Sequence, residues 1–148
     1  MELQLQSRTP ANTVTAYGDD YIEINEQKFH HAIFFRPEGP ISQWQVTSLK
    51  DVTTEALIEA AGLIKKEQDP FAFLGDNGNR PHYDNAPELI IIGTGQKQRF
   101  LSPAILQPLL AQGIGVECMD TRAAARTYNV LMNENRIVVA ALLLDGLD

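Results

Sequence analysis

Apolar and polar positions alternate through Tyr21-Ile22-Glu23-Ile24, the period of two that marks a β-strand with one buried face. A short Asn25-Glu26-Gln27 turn leads into Phe29-His30-His31-Ala32-Ile33-Phe34-Phe35, rich in aromatic and β-branched residues, so the pair reads as a β-hairpin. Pro37, Gly39 and Pro40 interrupt, and a strand pattern resumes from Ile41 to Val46 around Trp44. The first third of the chain is therefore antiparallel β. The residues before it, 1–18, carry Pro10, Asn12 and Gly18 without sustained periodicity and read as an arm, with Leu3 and Leu5 available to pair at a sheet edge.

The period then changes. Behind Thr53 or Thr54, each able to cap a helix, Ala56, Leu57, Ala60, Ala61 and Ile64 recur at the spacing of one helical face, and the helix is expected to end near Lys65-Lys66. Residues 67–87 hold Pro70, Gly75, Gly78, Pro81 and Pro87 and form a long loop, with Phe71, Phe73 and Leu74 available to pin it down. A loop of that length is unusual in a compact domain unless it is functional or mobile.

The last sixty residues are the most regular. Glu88–Ile92 is a strand, Gly93-Thr94-Gly95 a turn, Ser102–Gln112 a helix, Gly115–Met119 a strand, Thr121–Glu134 a helix and Arg136–Leu144 a strand. The order is β-α-β-α-β. The unbroken apolar run from Ile137 to Leu144 is that of a strand buried on both faces. Right-handed crossovers that advance in one direction put both helices on one face, leaving the N-terminal β segment to cover the other. The expected fold is α/β (α+β): a single domain over residues 1–148, three-layered β/β/α, with a C-terminal βαβαβ unit and an N-terminal antiparallel β segment. Pro108 conflicts locally with its helix, which is expected to be kinked there or to begin there.

Composition narrows the function. Twelve basic against nineteen acidic residues give a net charge of −7, which repels the phosphate backbone, so nucleic acid is not an expected partner. The apolar stretches are all shorter than the ~20 residues that cross a bilayer. The opening Met1-Glu2-Leu3-Gln4 has neither the basic region nor the apolar run of a signal peptide, and the expected location is the cytoplasm. The single cysteine, Cys118, provides no disulfide and no CxxC pair.

The chemistry-bearing residues are few. Gly93-Thr94-Gly95 follows a strand at the end where α/β proteins place ligands. The dinucleotide pattern would need a third glycine where Gln98 stands, so a tight turn using glycine's freedom at positive φ is preferred over a nucleotide cradle. Along the last helix Arg122, Arg126, Asn129 and Asn133 form an outward polar stripe, while Ala124, Tyr128 and Leu131 form the buried one. Arg122 lies in the first helical turn, where the macrodipole disfavours a cation. Either a bound anion or a carboxylate such as Asp120 or Glu117 is expected to compensate it. His30 and His31, adjacent in a predicted strand, point to opposite faces, and His82 lies apart in the loop, which is no metal-ligand spacing. Cys118 reads as a core residue rather than a nucleophile. No cofactor, metal or catalytic group is expected.

The segments Pro87–Gly95, Gly113-Ile114-Gly115-Val116-Glu117 and Asp120–Leu131, followed by Glu134 and Arg136, resemble the domain-of-unknown-function family four hundred and ninety-eight, which includes a mitochondrial respiratory complex I assembly factor. The resemblance covers about residues 15–145 and implies a three-layer β/β/α fold without established activity or cofactor. It marks Gly93, Thr94, Gly95, Glu117, Arg122, Tyr128 and Asn129 as a shared surface. The chain departs from the pattern between Lys65 and Asn85, where the family has a much shorter link. Two functions follow as expectations. The first is a cytoplasmic, non-enzymatic protein that binds a protein partner, in respiratory complex assembly by resemblance, with Arg122 and Arg126 on the contact surface. The alternative is a protein that binds a small molecule or small anion, with or without catalysis, between Gly93-Thr94-Gly95 and the start of the last helix.

Overall fold

A computed structural model describes residues 10–66 and 83–144. In chain order its elements are β1 (Val14–Tyr17), β2 (Ile22–Ile24), β3 (Gln27–Phe29), β4 (Ile33–Phe35), β5 (Ser42–Gln43), a 3-10 turn (Leu49–Asp51) and α1 (Thr54–Ala61). They continue with β6 (Ile64–Lys65), β7 (Tyr83–Asp84), β8 (Leu89–Gly93), α2 (Pro103–Leu110), β9 (Gly115–Met119), α3 (Thr121–Asn133) and β10 (Val138–Leu142). Leu3, Leu5, most of the 67–87 loop and His82 lie outside the described residues.

The central sheet has five strands in the order β5-β4-β10-β8-β9. β10 runs parallel to β8, in register Val139 to Ile90 and Ala140 to Ile91, and antiparallel to β4. β8 runs parallel to β9. A second antiparallel sheet, β1-β2-β3, and the short pair β6-β7 complete the strands.

Side chains alternate across the central sheet and divide the core in two. Ile90, Ile92, Val139 and Ala141 face α1 and α2, meeting Leu57, Ala60 and Leu109. Ile91, Val138, Ala140 and Leu142 face the opposite way, against Ala124, Ala125 and Tyr128 of α3 and Ile22 and Ile24 of the small sheet. The α/β fold and the antiparallel N-terminal strands thus stand as expected, but α2 and α3 do not share a face. The physical reason is the strand order. The chain steps outward from β8 to β9, then back across β8 to β10, and reversing the direction of a right-handed crossover reverses the face its helix covers. One outer layer is therefore α1 with α2, and the other is the small sheet with α3.

Other boundaries also differ from the periodicity. The hairpin forms, as β2 and β3, because Asn25 and Glu26 both take positive φ (52° and 69°) as a tight two-residue turn requires. The run from Phe29 to Phe35 is not one strand. It breaks at His30-His31, where the chain leaves the small sheet to enter the central one as β4, so neither histidine lies in a strand. The strand expected over Ile41–Val46 is confined to Ser42–Gln43. α1 stops at Ala61 rather than near Lys66, since Gly62 adopts φ 70° and its N–H bonds back to the last turn. α2 begins under a Ser102 cap with Pro103 in its first turn and continues through Pro108.

Candidate functional site

The Gly93-Thr94-Gly95 turn is where β8, β9, β10 and the start of α3 meet. Gly93 ends β8 so close to α3 that a Cβ there would lie 3.0 Å from Thr121 Cα and 2.9 Å from Leu142 Cδ2. Gly95 takes φ 100°, the conformation that glycine provides without strain. Between them Thr94 is buried; its Oγ1 lies 2.6 Å from the Lys97 carbonyl and accepts from the Arg99 N–H at 3.2 Å. Thr121, also buried, donates from Oγ1 to the Leu143 carbonyl (2.6 Å) and accepts from the Gly95 N–H (2.8 Å). The turn's polar groups are thus bonded to its own neighbours.

The outward side of α3 meets β1 and the loop after it. Asp120 caps the helix, its Oδ1 accepting from the Ala123 N–H at 2.9 Å. Arg122 donates to Asp19 Oδ1 at 2.8 Å and its guanidinium lies 5.7 Å from the centre of the Tyr17 ring. The compensating carboxylate is therefore Asp19, not Glu117 or Asp120. One turn on, Arg126 donates to the Tyr17 hydroxyl at 2.9 Å. Both arginines remain exposed. Asn129 bonds Val14 twice, accepting from its N–H (3.0 Å) and donating to its carbonyl (2.9 Å). Tyr128 faces inward, packs edge-on against Phe35 and donates to the Asn12 carbonyl at 2.8 Å. Burial pushes its phenol well above the ordinary tyrosine range. Glu117 stands exposed on β9.

Gly93, Thr94 and Gly95 are thus joined to the head of α3, and Arg122, Arg126, Tyr128 and Asn129 to the segment 12–19. That second set of partners, Asn12, Val14, Tyr17 and Asp19, carried no motif; the only cue was an unpaired cation in the first turn of a helix.

The groove at the opposite end of the central sheet has a volume of about 1080 Å³ and is bordered by Pro10, Arg36, Asn85, Met132 and Arg136. Its cations are engaged. Arg36 donates to the Ala61 carbonyl at 2.6 Å and to the Asn85 carbonyl, and burial lowers its pKa. Arg136 pairs with Glu88 at 3.3 Å.

Cys118 is buried, and burial raises its thiol pKa, which keeps it a poor nucleophile near neutrality. Among the described residues no three His, Cys, Asp or Glu side chains are grouped to hold a metal ion. Among them, too, no helix is long and apolar enough to cross a membrane.

Residues 14–143 match the model of a family described as protein of unknown function (DUF498/DUF598). The chain belongs to this family. The DUF498/DUF598 protein is 33% identical over 130 residues to NADH dehydrogenase [ubiquinone] 1 alpha subcomplex assembly factor 3 of Xenopus tropicalis, covering 88% of this chain and 60% of that one. It therefore spans about three fifths of that relative's length. A crystal structure of a Bordetella parapertussis protein shares 50% identity with it at a TM-score of 0.76, over 93% of this chain and 98% of the other. A solution structure from Bordetella pertussis, titled an Mth938-like domain, shares 52% identity at 0.75, over 99% and 94%.

Proposed function

We propose that this DUF498/DUF598 protein is a non-enzymatic binding factor that acts on another protein during assembly of an NADH dehydrogenase. The observation that carries the reading is its 33% identity, across 88% of the chain, to a relative named as an assembly factor of that complex. The reading treats the chain as one folding unit acting in the cytoplasm. Its contact surface is the exposed side of α3, where Arg122 lies over the Tyr17 ring, Arg126 bonds the Tyr17 hydroxyl, and both are held in place toward a partner. Preorganised, partly stacked arginines of this kind are favoured at protein interfaces.

Cross-linking in cells followed by purification of the tagged full chain tests this. NADH dehydrogenase subunits are expected among the products, with recovery reduced about tenfold, or ~1.4 kcal/mol, by Arg122→Glu and by Arg126→Glu. Asp19→Ala, which frees Arg122 without reversing its charge, is expected to retain recovery. Undiminished recovery with both charge reversals would remove this face from the interface. A thermal-shift screen against phosphates, nucleotides and organic acids is expected to leave Tm unchanged. A hit abolished by Arg122→Ala would instead favour a small-anion site.

A further inference from the structure

β9 ends the central sheet, and no strand among the described residues pairs with its outer side. The register shows which backbone groups face outward. Gly115 N–H bonds to the Glu88 carbonyl and the Met119 carbonyl accepts from Thr94 N–H, so residues 115, 117 and 119 bond inward to β8. Val116 and Cys118 consequently present their N–H and C=O groups outward, as alternate residues of an edge strand do. The Cys118 carbonyl is held at 3.0 Å by the side-chain amide of Gln98, which ties the 96–101 loop to this edge. Leu101 of the same loop is buried in the core beneath.

The other side chains of that loop are not buried. Phe100 is 78% exposed, the most exposed of the large apolar residues described. Lys97 and Arg99 are exposed and, like Lys50 and Lys65, have no ion-pair partner among the described residues, whereas Arg36, Lys66, Arg122, Arg126 and Arg136 are engaged. An acidic chain of net charge −7 thus places two cations without an ion-pair partner among the described residues, and an exposed aromatic ring, beside a strand edge whose Val116 groups have no strand partner among those residues.

We propose that this edge receives an extended acidic segment of a partner protein as an added strand. Its backbone would pair with Val116 and with the N–H of Cys118, its carboxylates would meet Lys97 and Arg99, and an apolar side chain would cover Phe100. Main-chain pairing supplies affinity in this mode and the flanking side chains supply specificity. Charge selects the occupant: a second copy of this chain would bring the same two cations and, in the register that sets Glu117 opposite itself, two like charges face to face. The residues of this surface, in the 96–101 loop and on β9, include neither Arg122 nor Arg126.

The probe is a fluorescein-labelled ten-residue peptide of alternating glutamate and valine, titrated with the full chain and followed by anisotropy. We expect saturable binding that weakens at least tenfold with Lys97→Glu/Arg99→Glu, several-fold with Phe100→Ala, and with rising salt. Methylating alternate backbone nitrogens of the peptide, which leaves the protein untouched, is expected to abolish binding. Lys28→Glu, a reversal of charge on β3 of the small sheet, is expected to leave it unchanged. The proposal is overturned by an absence of binding, by equal binding of a lysine–valine peptide, or by indifference to backbone methylation. Sedimentation showing a dimer of the unliganded chain that Phe100→Ala dissociates would assign the edge to self-association and overturn it as well.

Discussion

Asn129 on α3 pairs with Val14 on β1 as a neighbouring strand would, with one bond given and one received at 2.9 and 3.0 Å across 115 positions of sequence. β1 is an edge of the small sheet. The amide thus completes the hydrogen bonding of Val14 from a helix, and it locks the small sheet to α3 without a further strand.

Asn129→Ala is expected to destabilise the protein by about 2 kcal/mol, because both partly buried backbone groups of Val14 lose their partner. Asn129→Asp keeps the acceptor but turns a carboxylate toward the Val14 carbonyl, and should cost at least as much. Urea unfolding checks this, with a lower midpoint at unchanged slope. A midpoint equal to the parent's would show that the pair is incidental.

Thr121→Val preserves shape yet leaves the Gly95 N–H and the Leu143 carbonyl without a partner inside the core. The expected loss is about 3 kcal/mol, while Thr121→Ser retains most of the stability. Comparing the two by calorimetry separates the hydroxyl's role from that of the methyl group.

Gly93→Ala and Gly113→Ala should rank in a definite order. At Gly93 the new methyl meets the Thr121 backbone at 3.0 Å, a crowding expected to cost about 2–3 kcal/mol. At Gly113, with φ 82° and open space around it, the cost is that of a left-handed alanine, about 1 kcal/mol. Equal midpoints would contradict the close approach of α3 to β8.

Glu88 contributes stability that acid removes. The N–H of Ile137, 3.0 Å from Oε2, holds its carboxylate below the ordinary glutamate range, with Arg136 assisting and partial desolvation opposing. A depressed native pKa contributes stability that is complete above the ordinary value, about 4.3, and is lost as pH falls through the native value. Glu88→Gln should therefore narrow the stability gap from the parent as pH falls below about 4.3. A gap constant from pH 6 to pH 2 would rule out this linkage.

The βαβαβ half was legible in the sequence because its strands, turns and helices each carry a local signature, and β9 begins and ends as the pattern indicates. Strand order was not. A run such as Val138–Leu142 is apolar on both faces whether it lies at the third or the fifth position, so the reversal that sends α2 and α3 to opposite faces leaves no trace in hydropathy. The break at His30-His31 was hidden for a related reason, since strand-forming residues continue on both sides of it while the chain changes sheets. At the site, the residues of α3 stood out by their spacing and by family resemblance. Their partners did not, because Arg122 reaches Asp19 across 103 positions and Tyr128 reaches Asn12 across 116.

β10 lies between β4 and β8, yet it leaves the ribosome after every other strand described. Ala140 pairs with Phe35 on one side and with Ile91 on the other, so the two halves of the central sheet have no common edge until residues near 140 are available. Until then β4 and β8 each have an edge without its strand partner, and closure of the sheet joins strands more than a hundred positions apart. Such long-range pairing is slow. The nascent chain is therefore most exposed to misassociation just before β10 emerges.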